Sequence, residues 1–154
     1  MVLNGEISDE QVLDTYPGEA IDHDTKHYYR GLLQHRILVN RCSACSRWHL
    51  PPSATCPDCW SDAVEPTEVS GQGAVYYAVL LHQGPPADGV DYATPYPIVT
   101  VELAEQAGLR LTAPLLRCPR EAIFIGLPVS LTWIERDGAP FPAFEPSEEV
   151  GDER

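Results

Sequence analysis

Four cysteines constrain the fold of this chain more tightly than any other feature of its sequence. They form two Cys-x-x-Cys pairs separated by ten residues: Cys42, Cys45, Cys56 and Cys59. Two such pairs on facing turns can bring four thiolates around one ion, which is the tetrahedral arrangement that a structural Zn²⁺ prefers. The alternative is a set of buried thiols, but the segment is polar and rich in proline, which suits a core poorly. The spacing therefore predicts a zinc ribbon over residues 41–64, with a structural metal because four sulfur ligands leave no open position.

Length and hydropathy bound the class of protein. The chain has 154 residues, enough to bury a hydrophobic core without disulfides. Residues 1–14 carry neither a basic segment nor an apolar run, and no stretch of about eighteen apolar residues occurs anywhere. We therefore expect a cytoplasmic protein with no membrane segment, in a compartment where thiols stay reduced and are available to a metal.

The formal net charge of −13 belongs to the two ends of the chain. Residues 1–24 hold seven acidic residues and no Lys or Arg, and residues 145–154 add five acidic residues against Arg154. The middle, residues 25–144, is nearly neutral, with eleven acidic residues and nine basic ones. Such ends are typical of mobile, solvated tails. Because there is no basic excess to meet a phosphate backbone, we expect no nucleic-acid partner.

A helical pattern precedes the ribbon. The apolar positions Tyr28, Tyr29, Leu32, Leu33 and Leu38 predict one helix or two short ones between Lys26 and Leu38. Asp22 or Asp24 is the predicted N-cap.

Strand patterns follow Pro66. Four short runs rich in β-branched and aromatic residues, bounded by Gly and Pro, cover residues 73–82, 97–103, 109–116 and 128–135. Four or five strands of this size close most economically into a small barrel. The predicted organisation is an acidic mobile segment (1–24), a helical segment (25–40), the ribbon (41–64), a barrel (65–146) and an acidic tail (147–154).

No catalytic constellation is evident. The sequence contains no Gly-x-Ser-x-Gly, no P-loop and no paired histidines, and Ser70 to Gly73 leads into a strand and not into a helix. Cys118 lies beside Pro119 at the end of an apolar run, which is more typical of a small buried side chain than of a nucleophile. His49 lies inside the ribbon, where four cysteines already satisfy an ion.

Six sequence segments occur in an order that is typical of a known family. They are the lead-in HYYRGLLQHRILVNRC, the ribbon CSACSRWHLPPSATCPDC, the turn VSGQGAVYYAV, the strand PIVTVELAE, the segment IGLPVSLTWIE and a closing FPAFEP. In this order the chain resembles, over residues 26–146, the acyl-CoA-associated OB-fold family that carries a rubredoxin-like zinc ribbon. The chain departs from the family pattern at Ser46 and Trp60, where a small residue is usual, and at Ser53, where Arg is frequent.

The resemblance implies a mainly β fold with one or more N-terminal helices, a rubredoxin-like zinc ribbon and a small OB-fold barrel. It also implies an accessory subunit and not a self-sufficient enzyme. Members of the family are partners of thiolase-like enzymes, including acyltransferases and the sterol-carrier-protein-type aldolases that act on steroid side-chain acyl-CoA. We therefore expect a hetero-oligomer that supports acyl-CoA binding or passage, with two copies per partner dimer.

A CoA thioester needs a few cations and an apolar trough. Five basic residues lie between the start of the helix and the end of the first cysteine turn: Lys26, Arg30, Arg36, Arg41 and Arg47. Either they are ordinary surface charges or some of them contact a phosphate, in which case Arg41 and Arg47 are the first candidates. The long segment from Gln83 to Tyr96 is a candidate binding loop. Tyr92 and Tyr96 are candidate ligand contacts, and Trp48 and Trp60 are candidate partner contacts or plain packing.

Two other functions remain as alternatives. The barrel could be a nucleic-acid-binding OB module, which the acidic charge disfavours. The chain could also be a stand-alone acyl-CoA enzyme that uses Cys118 as its nucleophile.

Overall fold

The computed structural model describes residues 6–86 and 90–147, which separate into two compact units. The first unit extends to Glu68 and includes Gly138–Pro140, and the second comprises Val69–Asp137 and the chain from Phe141 onward. The predicted acidic tail lies outside the described residues except for Ser147, as do residues 1–5 of the predicted N-terminal segment and residues 87–89 of the predicted loop. The domain boundaries drawn from composition stay predictions.

The first unit begins with a helix that the sequence analysis did not predict. Helix α1 spans Asp9–Thr15 and begins with a capping box, in which Ser8 accepts the backbone N–H of Gln11 and the Gln11 side chain accepts the N–H of Ser8. Val12 and Tyr16 are buried. Part of the segment that was predicted to be a mobile tail is therefore helical.

Helix α2 spans Lys26–Leu33 and is shorter than the sequence predicted. Its end is a Schellman-type turn, because the N–H of Arg36 donates to the Gly31 carbonyl and the N–H of His35 donates to the Leu32 carbonyl. His35 takes a positive φ of 56° in this turn. A Cβ on Gly31 would lie 2.9 Å from the Arg36 carbonyl oxygen, so glycine permits the close return of the chain. Leu38, which was predicted to be helical, instead begins a strand.

The predicted N-cap of α2 was also wrong. Thr25 is the N-cap, and its side chain makes no capping hydrogen bond. Asp22 instead accepts the backbone N–H groups of Asp24 and Thr25 in the preceding turn. The aspartate therefore organises the turn ahead of the helix and does not cap the helix itself.

The ribbon contains a three-stranded antiparallel sheet. Strands β1 (Leu38–Cys42), β2 (Trp48–His49) and β3 (Val64–Glu68) have the order β2-β1-β3. In their register Arg41 lies opposite Trp48, and Cys42 lies opposite Val64. The central strand thus ends at the first cysteine and fixes its position.

The second unit is a five-stranded antiparallel sheet in the order β6-β5-β4-β7-β8. Its strands are β4 (Gln72–Leu81), β5 (Tyr96–Leu103), β6 (Arg110–Pro114), β7 (Pro128–Arg136) and β8 (Ala139–Pro146), of which the first two residues are grouped with the first unit, and a 3₁₀ turn lies at Arg120–Ala122. Among the described residues the strand ladders do not close, but an isolated parallel bridge joins Leu115 to Phe144, next to the 2.8 Å hydrogen bond from the Leu116 N–H to the Phe144 carbonyl. The four predicted strands are confirmed, and β8 is the fifth.

Alternate residues of these strands form a buried core. Val75, Val99, Val101, Val129 and Phe144 are each at most 2% exposed. Among the described residues, no helix is both long enough and apolar enough to span a bilayer.

Phe144 gives the first prediction, because it is the largest fully buried side chain of the described residues. We expect Phe144→Ala to lower the free energy of unfolding by about 3–5 kcal/mol, since it leaves a cavity in the core. The matched control is Phe124→Ala, which removes a ring that is 54% exposed and should change stability by about 0.5 kcal/mol or less. Urea denaturation measures both changes. Equal losses for the two variants would contradict the assigned core.

Candidate metal centre

The first cysteine pair sits on a tight turn at the end of β1. The N–H of Cys42 donates to the Arg47 carbonyl (2.9 Å), and the N–H of Ser46 donates back to the Cys42 carbonyl (2.8 Å). Ser46 takes a positive φ of 67°, which closes the turn. Both thiols of the pair are thereby held at the open side of the turn.

The second pair repeats this geometry. The N–H of Cys56 donates to the Ser61 carbonyl (2.8 Å), and the N–H of Trp60 donates to the Cys56 carbonyl (2.9 Å). Trp60 has the same φ of 67° as Ser46. These are the two positions at which the sequence departs from the small residues of the family it resembles, and both take a backbone conformation that favours glycine.

The two turns bring the four sulfur atoms together. All four lie within 4.8 Å of one another. The Cys42 and Cys59 sulfurs are 3.6 Å apart, and those of Cys45 and Cys56 are 3.7 Å apart. Zn–S bonds of about 2.3 Å in a tetrahedron place sulfurs about 3.8 Å apart. The spacing and the all-sulfur donor set therefore fit a Zn²⁺ ion, and the four cysteines are positioned as a cluster for metal binding.

The protonation of the cluster follows from its hydrogen bonds. The backbone N–H of Cys45 donates to the Cys42 sulfur and lowers the pKa of that thiol to about 7. The N–H of Arg47 acts in the same direction on Cys45, but burial and the neighbouring sulfurs outweigh it and raise the pKa of Cys45 to about 12. Without a cation some sulfurs keep their protons, and a bound dication would release them.

Trp48 and His49 pack inside the ribbon unit. Trp48 is 9% exposed, and the guanidinium of Arg41 lies over its ring, 5.0 Å from the centroid. His49 is buried, lies outside the sulfur cluster, and places Nε2 3.4 Å from the Ser53 hydroxyl. The position of Trp48 fits packing and leaves little of its ring available to a partner.

The five basic residues from the start of α2 to the end of the first cysteine turn differ in their partners. Lys26 and Arg30 pair with Asp9, Arg36 pairs with Glu68, and Arg47 pairs with Asp58 at 2.7 Å. For Arg41 the structure gives the Trp48 ring and a hydrogen bond from Nε to the Ser46 carbonyl (3.3 Å), and no carboxylate among the described residues.

The two candidate tyrosines of the long loop lie in different settings. The Tyr92 hydroxyl donates to the Pro85 carbonyl (3.1 Å), and a Cβ on Gly84 would lie 2.6 Å from that hydroxyl oxygen. Tyr92 thus fastens the loop to its own first residues. Tyr96 is the first residue of β5 and lies opposite Leu81 of β4.

Cys118 does not have the surroundings of a nucleophile. It is partly buried, burial raises the pKa of its thiol, and within the described part of the chain its sulfur donates to the Pro119 carbonyl (3.6 Å). A reactive cysteine needs a lowered pKa and a nearby cation or base.

Two features of the surface were missed by sequence reasoning. A cavity of about 210 Å³ in the ribbon unit is lined by polar side chains that include His23, His27, Asn40 and Ser53. Large apolar side chains of the second unit are also exposed, among them Tyr76, Tyr77, Phe124 and Ile125. Two consecutive tyrosines in a strand, where strict alternation would bury one of them, were the signal available for the second feature.

Comparison with known families identifies both units. Residues 30–65 match the model described as "ChsH2, rubredoxin-like zinc ribbon domain", and residues 66–133 match "ChsH2, C-terminal OB-fold domain". The chain belongs to the ChsH2 family. The predicted mainly β fold with a zinc ribbon followed by an OB-fold is confirmed.

Relatives in the ChsH2 family include components of acyl-CoA enzymes. The chain is 35% identical over 133 residues to a "probable enoyl-CoA hydratase alpha subunit" of Thermomonospora curvata, and covers 85% of its own length and 40% of that protein. It is 28% identical over 145 residues to the "3-oxo-4,17-pregnadiene-20-carboxyl-CoA hydratase alpha subunit" of Mycobacterium tuberculosis, of which it covers 44%. The chain therefore spans less than half the length of these relatives.

A solved structure is matched over nearly its whole length. It is titled "Ltp2-ChsH2(DUF35) aldolase", and one of its chains is 35% identical with a TM-score of 0.74. The alignment covers 83% of this chain and 98% of that one.

The cluster gives a prediction about metal content. We expect Cys45→Ser to lower bound zinc from about one ion per chain to a small fraction, because three sulfurs no longer complete the tetrahedron. The ribbon should lose protection from proteolysis, since metal binding is coupled to its folding. Cys118→Ser is the matched control and should keep both properties. Elemental analysis and limited proteolysis test this, and full zinc retention by Cys45→Ser would contradict the assignment.

The positive φ of Trp60 gives a second prediction. Its ring is 81% exposed, so Trp60→Gly should remove strain without loss of packing and raise the free energy of unfolding of the ribbon by up to about 1 kcal/mol. Ser46→Gly, at the equivalent position of the first turn, should behave alike. Thermal unfolding of the zinc-loaded protein measures the change. A clear loss of stability in Trp60→Gly would show that the indole packs against the ribbon.

Proposed function

We propose that this chain is a non-catalytic accessory subunit that binds a thiolase-like aldolase or acyltransferase and supports the binding or passage of its acyl-CoA substrate. The proposal rests mainly on the similarity of this chain to one chain of the Ltp2-ChsH2(DUF35) aldolase. The alignment covers 98% of that chain. The two relatives described above are each named as the alpha subunit of a CoA-ester hydratase, which supports an acyl-CoA setting. One of these names describes a steroid-derived thioester, which supports a role in steroid or lipid side-chain degradation.

The chemistry of the described residues supports an accessory role. Four sulfurs fill the coordination shell of a zinc ion, so the ion has no position for water or substrate and would serve the fold. The raised pKa of Cys118 argues against the alternative of a stand-alone enzyme that uses this thiol. The reacting groups are therefore to be sought in the partner.

Among the candidate phosphate contacts, the geometry favours Arg41. Arg47 is engaged by Asp58 at 2.7 Å, so a phosphate would have to displace a carboxylate. Arg41 is stacked on Trp48 and uses Nε for Ser46, which orients the guanidinium and leaves further N–H donors for an anion. The CoA phosphates would meet Arg41 first, while Tyr92 and Tyr96 remain candidates for contact with the rest of the thioester.

The stoichiometry follows from symmetry. A partner built as a symmetric dimer presents two equivalent surfaces, so the assembly would contain two copies of this chain. The net charge of −13 supports a protein partner in preference to nucleic acid, since an acidic module gains nothing from counterion release. A cytoplasmic location stays a prediction.

The proposal predicts a stable complex. The chain is co-expressed with each thiolase-like protein of its source organism. The products are separated by size-exclusion chromatography, and their molar masses are measured by light scattering. We expect one of these proteins to co-elute with two copies of the chain per partner dimer, and calorimetry with octanoyl-CoA to show tighter binding by the complex than by either subunit. If none of the thiolase-like proteins forms a complex, the proposal is wrong.

A further inference from the structure

Strand β4 is paired with another strand along most of one edge, but along only a short part of its other edge. It pairs with β5 from Gly73 to Leu81, but with β7 only from Gln72 to Ala74. On the β7 edge, Val75 makes two further backbone hydrogen bonds. Its N–H donates to the Leu127 carbonyl (2.9 Å), and its carbonyl accepts the Gly126 N–H (2.7 Å). Within the described part of the chain, no register pairs beyond this point join β4 to β7.

A β-bulge turns two tyrosines outward at the place where this pairing stops. The register with β5 shifts between Val75 and Tyr77. Val75 remains in the core at 2% exposure, whereas Tyr76 and Tyr77 are 46% and 57% exposed. A bulge re-aims side chains in this way, and such irregularities are frequent at functional positions.

The segment before β7 adds two more apolar side chains to the same area. The hydrogen bonds of Gly126 and Leu127 hold this segment beside Val75, directly after Phe124 and Ile125. Phe124 is 54% exposed and Ile125 is 72% exposed. Together with the exposed Val79 they define a surface that we call the β4 patch: Tyr76, Tyr77, Val79, Phe124 and Ile125.

The β4 patch has a composition typical of a binding surface. Strand β4 carries no charged residue. At its margin the guanidinium of Arg110 stacks on Tyr76, 3.6 Å from the ring centroid, and pairs with Glu102 at 3.6 Å. Aromatic side chains and arginine are enriched among residues that dominate protein interfaces. Monomeric soluble proteins rarely expose a contiguous apolar patch, and a patch of this kind usually marks an interaction site.

The net charge of the chain limits which molecules could bind the β4 patch. At a net charge of −13, two copies of this chain repel each other, as do the chain and an anionic lipid surface or a nucleic acid. The residues of the patch are themselves uncharged, so the occupant need only present an apolar surface and must not be strongly acidic. These conditions favour a protein of a different sequence.

We infer that the β4 patch is the surface that docks the thiolase-like subunit. The inference rests on the proposed function, which supplies the partner, and it adds the location of the contact. Tyr76, Tyr77, Phe124 and Ile125 insert into an apolar surface of that subunit, while Arg110 holds the Tyr76 ring in place.

The experiment measures the dissociation constant between the purified chain and the thiolase-like subunit found by co-expression. Tyr77→Glu and Ile125→Glu should each weaken binding by about ten-fold or more, because each places a charge in an apolar contact. Leu13→Glu is the matched control, since Leu13 on α1 is 52% exposed and receives the same change. Its affinity should stay within about two-fold of wild type, and Tyr77→Phe should retain most of the wild-type affinity.

The outcomes separate the inference from the proposed function. If wild type binds and the patch variants bind equally well, the inference is overturned and the proposed function stands. If wild type binds none of the subunits, the proposed function fails first. Loss of self-association in the patch variants, with partner binding unchanged, would assign the patch to a second copy and also overturn the inference.

A second measurement does not depend on the folding of any variant. Hydrogen exchange of the wild-type chain, free and in the complex, should show added protection in the peptides that cover residues 75–81 and 123–127. Protection confined to other peptides would contradict the inference.

Discussion

The convergence of four sulfur atoms is the constraint on which the ribbon unit depends. Two turns with the same pair of backbone hydrogen bonds present Cys42, Cys45, Cys56 and Cys59 to one point. The three-stranded sheet contains few residues, and a unit of this size gains much of its stability from a bound ion. A closed shell of four sulfurs around an ion would also hold both turns in place, which would allow two residues with side chains, Ser46 and Trp60, to keep a positive φ.

Much of this architecture could be predicted from the sequence because its signals are local. The spacing of the cysteines indicated the ribbon, and alternating β-branched runs indicated four of the five strands of the second unit. The helix before the ribbon was predicted too long, because its end depends on the contact between Gly31 and the returning chain at Arg36. That contact is not encoded in a periodic pattern. Helix α1 was overlooked because its acidic composition suggested a tail, although the Ser8 and Gln11 capping box was present in the sequence.

The surface features were harder to predict for a physical reason. Whether Arg41 or Arg47 is available to an anion depends on Asp58, which lies in the second cysteine turn and pairs with Arg47. The outward position of both Tyr76 and Tyr77 depends on a bulge in the register between two strands. The tertiary fold sets both the ion pairs and the strand register. Residue type alone could therefore identify candidate contact residues but could not show which of them are available. Trp48 and Trp60 show the same difference, since one is buried beneath Arg41 and the other is almost fully exposed.

The central claim is that the metal of this chain maintains the fold while the partner carries out the reaction. Replacing Zn²⁺ by Cd²⁺ in the four-cysteine cluster tests it most directly, because Cd²⁺ also binds four thiolates but differs in size and Lewis acidity. The measurement is the turnover number of the complex with each metal, after confirmation that the ribbon is folded. The account predicts the same turnover number with both metals. A turnover number that changes with the metal would place the ion in the reaction and contradict the account.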